Sequence, residues 1–184
     1  MILFDTETTG LVGPEIMPIA KQPFIIEFCA VKLDNKTLKE TECINFLVNS
    51  AGRPVISEEI TKITGITEAM LVGQPTFEQH LPAITELFLG ETILVAHNCK
   101  FDVDMLRLDL TRCGRLTRFP WPPRHVCTVE ASTHIMRRRM RLNELYEHAT
   151  GGGQIQNAHR AINDVRALAE CVRWLSKEGK VKFS

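Results

Sequence analysis

The stretch Ile2-Leu3-Phe4-Asp5-Thr6-Glu7-Thr8-Thr9-Gly10 decides how the chain is read. It opens with three apolar residues and then alternates carboxylate with threonine. Side chains two apart on a strand point to one face, so Leu3, Asp5 and Glu7 share a side while Ile2 and Phe4 occupy the other. A strand apolar on both faces belongs in the middle of a sheet. Two carboxylates projecting together there repel by about 4 kcal/mol at about 4 Å and an effective dielectric near 20. A divalent cation offsets that repulsion, and carboxylate oxygens suit hard ions such as Mg²⁺ or Mn²⁺. Taken alone, the pair reads equally well as a solvated strand end.

Working outward, Gly13, Pro14, Pro18 and Pro23 make residues 10–23 a loop. A second strand is expected from Phe24 to Leu33, then a turn at Asp34-Asn35-Lys36 and a third strand around Glu42 to Val48, an antiparallel meander. After Gly52 and Pro54 the apolar spacing turns helical, with Ser57 capping a short helix that ends near Gly65. Thr76 caps a longer helix in which Phe77, Leu81, Ile84 and Phe88 recur at helical steps until Gly90. Thr92 to Ala96 is a buried strand, followed by a helix from about Lys100 to Cys113 with Phe101, Met105 and Leu108 on its inner face. Phe119-Pro120-Trp121-Pro122-Pro123 reads as an exposed loop or a lip beside a cleft. A brief strand at Arg124 to Thr128 precedes helices at Val129 to Met136 and Leu142 to Ala149, the second ended by Gly151-Gly152-Gly153. The last helix, about Ala158 to Lys177, carries the stripe Ala161, Val165, Leu168, Val172 and Leu175. Three strands and then alternating helix and strand make one α/β domain over 1–184, with a mixed five-stranded sheet, its first three strands antiparallel, flanked by helices.

The 44% hydrophobic and 24% charged content over 184 residues belongs to a globular protein rather than a disordered or fibrous one. The N-terminus lacks the basic and apolar regions of a secretory signal, and no apolar run is long enough to span a membrane. Six cysteines without a Cys-x-x-Cys pair or a His/Cys cluster exclude a zinc site of ordinary spacing and suit reduced thiols of a cytoplasmic protein. A net charge of zero argues against a nucleic-acid partner, but the charge is unevenly spread. Residues 100–141 carry ten basic side chains against four carboxylates, while residues 1–99 carry 13 carboxylates against 6 basic side chains. The basic segment reads as a nucleic-acid track or as a solvated face.

Asp102 falls in the first turn of a helix that follows a buried strand, and Asp164 falls on the last helix beside the apolar stripe. His159 and Asp164, five residues apart, would point about 140° apart on one ideal helix. His159 therefore belongs to the loop or frayed turn before that helix if both reach one site, where a mobile imidazole suits proton transfer. His80, His125, His134 and His148 lack a partnered carboxylate and read as surface or core residues, and His97 as structural. Asp104 and Asp109 are placed off the face of Asp102, in solvent.

These residues carry a family resemblance. Phe4-Asp5-Thr6-Glu7-Thr8-Thr9-Gly10 resembles the first motif of the DnaQ-like DEDDh exonucleases, the family of the epsilon proofreading subunit of bacterial replicative polymerases. Ala96-His97-Asn98-Cys99-Lys100-Phe101-Asp102 resembles the second, and His159-Arg160-Ala161-Ile162-Asn163-Asp164 is similar to the third. Between them Ile63-Thr64-Gly65-Ile66-Thr67 is similar to a Gly-Ile element, in a threonine form like that of some Gram-positive replicative polymerases.

The resemblance implies a ribonuclease H-like fold and a 3′-to-5′ exonuclease that hydrolyses the terminal phosphodiester of single-stranded nucleic acid, DNA favoured over RNA, releasing nucleoside 5′-monophosphates. It implies two divalent cations, Mg²⁺ or Mn²⁺: Asp5 would bridge them, Glu7 and Asp164 would complete the first, and Asp102 would support the second. His159 would be the general base, so activity is expected to fall in acid. Thr6, Thr8, Thr64, Ile66, Asn98 and Phe101 would contact substrate, although Phe101 reads equally as a core residue. A polymerase or another replication or repair protein is the implied partner, with no membrane. An RNA-trimming exonuclease of the same chemistry is the nearer alternative, and a silent binding module with this fold the more distant one. The chain stops soon after its last helix, without a flexible tail, which favours a standalone nuclease or one that docks through its surface.

Overall fold

In the computed structural model, residues 1–49 and 56–181 are described, so the break at Gly52 and Pro54 lies outside the described residues. Five strands form one sheet in the order β3-β2-β1-β4-β5, with β1 at Ile2–Thr8, β2 at Ile25–Leu33, β3 at Glu40–Leu47, β4 at Ile93–Ala96 and β5 at Arg124–Cys127. The first three strands run antiparallel, while β4 pairs parallel with both β1 and β5. The central place expected of the Ile2–Glu7 strand is therefore observed. Ile2 and Phe4 pack into one core with Phe28, Leu94, Phe77 and Phe88. Met1 and Leu3 pack on the other face with Val31, Val95, Val165 and Leu168.

The helices are α1 at Glu58–Thr64, α2 at Glu68–Leu71, α3 at Phe77–Phe88, α4 at Cys99–Arg112, α5 at Thr128–Met136, α6 at Leu142–Thr150 and α7 at Ala161–Lys177. Helix α3 has the Thr76 cap, reciprocated by Gln79, and α1 starts at the Ser57 cap and stops at Gly65 in the left-handed conformation. The expected stripe of α7 is buried at all five positions. The six cysteines are free thiols, with Cys29, Cys99 and Cys171 buried. Among the described residues no helix is long and apolar enough to cross a membrane.

Several expectations are corrected. Helix α2 had no expected counterpart. Helix α7 begins at Ala161 rather than Ala158, because Asn157 and His159 take positive φ angles of 50° and 65° that a helix excludes. The inner face of α4 is Cys99, Asp102, Val103, Met105, Leu106, Asp109 and Leu110, with Phe101 and Leu108 only half-buried on its flank.

Asp109 is not solvated. Seven residues are about two turns, so it shares the inward face of Asp102, is 1% exposed, accepts from the Ile25 amide at 3.0 Å and pairs with Arg112 at 2.7 Å. Arg112 also donates to the Ile19 and Gln22 carbonyls and lies over the Phe24 ring, which ties the 10–23 loop to α4. Asp104 does pair at the surface, with Lys100. The 119–123 segment is less exposed than expected: Phe119 is buried against Phe88 at 5.0 Å. It leads into the start of β5, where Arg124 pairs with Ile93, the end of the sheet opposite the carboxylates.

Candidate active site

The site forms where the parallel strands end. β1 delivers Asp5 and Glu7 on the face that α7 covers, for the reason the alternation gave: Leu3 on that side is core, and the next two positions in step with it are acidic. β4 ends at Ala96, and the chain turns sharply into α4 through Asn98, which adopts φ 67° and ψ 46°. Asparagine is among the few residues with a side chain that accept this conformation readily. The turn puts Asp102 in the first helical turn, 2% exposed and aimed back at β1. Its Oδ1 accepts from the Thr6 hydroxyl at 2.8 Å and the Thr6 amide at 3.0 Å. Asp164 lies in the first turn of α7, where its Oδ2 accepts from the His159 amide at 2.9 Å.

The five sequence-selected groups converge. Ligand atoms of Glu7, His159 and Asp164 lie within 4.8 Å of one another. Burial pushes the Asp5 carboxyl well above the ordinary carboxylate range, reinforced by the charges of Asp102, Glu7, Asp164 and Glu27. Glu7 is pushed up from 4.5 to about 8, by burial first and then by Asp164, Glu27 and Asp102, with Arg160 pulling the other way. Burial lifts Asp102 to about 7 despite the Thr6 donors that favour its ionised form. Asp164 is raised by burial, with the His159 amide and ring opposing. Carboxylates whose proton affinity is raised by burial and by one another are short of positive charge. An all-oxygen acidic cluster of this kind fits a hard divalent cation, which the protons replace when it is absent.

An open cleft of about 550 Å³ borders the cluster, lined by Asp5, Asn98, Arg139, Arg141, His159 and Asp164 among others. His159 is exposed at its mouth. His97 sits in the wall as the structural residue expected of it. Its Nε2 reaches the Met140 carbonyl at 3.1 Å and its Nδ1 the Thr128 hydroxyl at 3.0 Å, and burial holds its ring down at about 4. A neutral ring protonated on Nε2 satisfies both partners. Of the remaining histidines, His80 stacks on Phe46 at 3.7 Å, and His125 and His148 lie against Trp121 and Trp174.

The residues expected to contact substrate divide. Asn98 lines the cleft, held by Arg139 at 3.1 Å. Thr6 spends both its donors on Asp102, so it orients a carboxylate rather than reaching a ligand. Thr8 donates to the Gly10 carbonyl, and Thr64 donates to the Ile60 carbonyl while accepting from the Ile66 amide. Ile66 is fully buried with Ile26, Ile56 and Leu71, so its side chain is core. Phe101 packs half-buried against the main core, the second of its two readings.

Sequence reasoning missed Glu27 and Arg139. Glu27 had a signal: a single acidic residue in the otherwise apolar run Ile25 to Val31. Arg139 had none beyond its place in the basic segment.

Carboxylates from β1, α4 and α7 gather beside one exposed imidazole, a donor set that suits a hard divalent cation. The sequence pattern of the exonuclease family RNase_T matches residues 2–172, and the chain belongs to this family, the DnaQ-like DEDDh 3′-to-5′ exonucleases. The epsilon subunit of DNA polymerase III of Aquifex aeolicus (strain VF5) is 31% identical over 171 residues, covering 92% of this chain and 76% of the relative. A PolC-type DNA polymerase III of Clostridium perfringens (strain 13 / Type A) is 33% identical over 182 residues, which are 97% of this chain but 11% of that protein, so the chain spans only a small part of such relatives. Among solved structures, the nuclease domain of 3'hExo, a DEDDh family member bound to rAMP, superposes with a TM-score of 0.77 at 19% identity, covering 97% of this chain and 92% of that one. This likeness is one of fold, the ribonuclease H-like sheet flanked by helices.

Proposed function

We propose that residues 1–184 form a single exonuclease domain that removes nucleotides from the 3′ end of single-stranded DNA with two divalent cations, Mg²⁺ or Mn²⁺, releasing nucleoside 5′-monophosphates. The observation that carries this reading is the convergence of Asp5, Glu7, Asp102 and Asp164 with His159, of which Asp5, Asp164 and His159 line one open cleft. The four carboxylates would hold the cations, which when bound supply Lewis-acid stabilisation of the charge that develops on the phosphate.

The chain's own groups have separable tasks. The His159 ring, exposed at the mouth of the cleft, accepts the proton of the attacking water, as a general base must be free to do. Asp164 fixes the backbone of that residue through the His159 amide. Thr6 favours the ionised form of Asp102 and aims it at β1. Arg139 and Arg141 put positive charge on the rim where the strand's phosphates would pass, which softens the objection raised by the zero net charge. The relatives' names support DNA over RNA and a replication protein as partner. A cytoplasmic location suits both.

A labelled-oligonucleotide digest tests the reading, with single-stranded DNA beside RNA, in Mg²⁺, Mn²⁺ or EDTA. Product should ladder from the 3′ end, vanish in EDTA and in Asp5→Ala, and slow by about 10² to 10⁴ in His159→Ala. Undiminished cleavage by Asp5→Ala would refute it, and faster digestion of RNA would move the substrate to the exoribonuclease alternative.

A further inference from the structure

Glu27 is a carboxylate beside the cluster that no motif selects. It is the third residue of β2, 0% exposed, directly opposite Glu7 in the β1–β2 ladder. A buried charge needs partners, and those of Glu27 come from two consecutive residues of another element. Arg160 Nε reaches Oε1 at 3.2 Å and Oε2 at 3.0 Å, Arg160 Nη2 reaches Oε1 at 2.7 Å, and the Ala161 amide donates to Oε2 at 3.0 Å. Both oxygens are thereby committed, whereas Asp102 and Asp164 each accept these bonds through one oxygen only.

The geometry ties this pair to the chemistry. Ala161 is the first residue of α7, and Arg160, its N-cap, makes no side-chain cap of its own. Glu27 fills that role from across the sheet, placing negative charge at a helix N-terminus where orphan amides and the helix dipole favour it. The two anchored residues are bracketed by site residues: His159 immediately before and Asp164 within the first turn after. His159 is held at φ 65°, a conformation uncommon for a residue with a side chain, so local preference alone does not set its position. Arg160 also lies close enough to Glu7 to bear on its charge. Released from Glu27, that guanidinium would be a cation among carboxylates meant for metal.

We propose that Glu27, acting through Arg160 and the first amide of α7, is a positioning residue: it fixes where His159 and Asp164 stand and keeps the Arg160 cation away from the metal-binding carboxylates. This rests on the nuclease reading of the site.

The test is a double-variant cycle on the full chain with two readouts, Mn²⁺ binding by calorimetry and steady-state digestion of a single-stranded oligonucleotide. Glu27→Gln keeps the shape and an acceptor for the Ala161 amide but frees Arg160. It should weaken Mn²⁺ binding about tenfold and lower kcat at least about tenfold, with KM changed less than about threefold. Glu27→Gln/Arg160→Gln should bind Mn²⁺ more tightly than Glu27→Gln, because the stray cation is gone. A Glu27→Gln chain that melts lower yet keeps wild-type kcat and Mn²⁺ affinity where it is folded would reduce the pair to a structural one and overturn the proposal. If Glu27→Gln does not fold, Arg160→Lys, which keeps the charge but loses the fork, carries the same readouts. A fall in kcat at constant KM then supports positioning, and wild-type values overturn it. A wild-type chain that binds Mn²⁺ but digests nothing would end the nuclease reading while leaving the calorimetric arm to decide on Glu27.

Discussion

Replacing Glu7 by glutamine should make the metal-free protein more stable, and more so as pH rises. The Glu7 carboxyl is lifted from 4.5 to about 8 in the fold. At about 1.4 kcal/mol for each pH unit, that corresponds to about 5 kcal/mol against the ionised form. The folded chain then holds a proton that the unfolded chain releases, so stability is lost as pH climbs from about 4.5 to about 8. The full gain from Glu7→Gln is thus expressed near the upper end of that window, and only about 1 kcal/mol of it at about pH 5. Neighbouring carboxylates rearrange and share protons, so a measured gain of about 2 kcal/mol or more at about pH 8 is the working expectation. Urea unfolding in EDTA at the two pH values, followed by circular dichroism, reads it directly. Equal or lower stability of Glu7→Gln at both would refute the reasoning, since it would mean that the crowded carboxylates are not strained without a cation.

Three further outcomes follow from the same geometry. Mn²⁺ added at about a hundred times its dissociation constant should raise wild-type stability by about 2.7 kcal/mol for each site filled, with a clearly smaller gain at about pH 5.5 where protons compete, as thermal shift will show. Thr6→Val removes the hydroxyl donor at 2.8 Å from Asp102. A hydrogen bond to a charged group is worth about 1.5 to 3 kcal/mol, so Mn²⁺ affinity measured by calorimetry should fall roughly tenfold to a hundredfold with a smaller change in Tm. Asp109→Ala, by contrast, breaks a buried carboxylate's links to Ile25 and Arg112. It should cost about 3 kcal/mol in urea unfolding while leaving kcat of the folded enzyme unchanged in the oligonucleotide assay.

The strand and helix pattern was legible because local signals agreed with burial. Thr76 capped α3 as expected, and the steps of α7 from Ala161 to Leu175 all turned inward. What failed did so where the outcome depended on more than one element. Asp109 was placed off the face of Asp102, although seven residues, about two turns, return it to that face, where the Ile25 amide of β2 meets it. Ile66 matched a motif, yet the packing of Ile26, Ile56 and Leu71 closed over it. Glu27 was visible as an odd charge in an apolar strand, but its place beside Glu7 required the register of β1 on β2, which periodicity cannot supply.

This division has a physical cause in how the charges are distributed. Asp102 comes from α4, Asp164 from α7, and only Asp5 and Glu7 share an element. A like-charge pair at helical spacing would have weakened α4 or α7 by itself and blurred its sequence signal. Apart from Asp5 and Glu7 on β1, the carboxylates come from separate elements and repel one another only after the sheet and helices have assembled. The electrostatic penalty therefore falls on the tertiary structure and leaves each segment's preference intact. The elements stay easy to read for the same reason that the site is not: most of its energy exists between them, where the proposed cations would offset it.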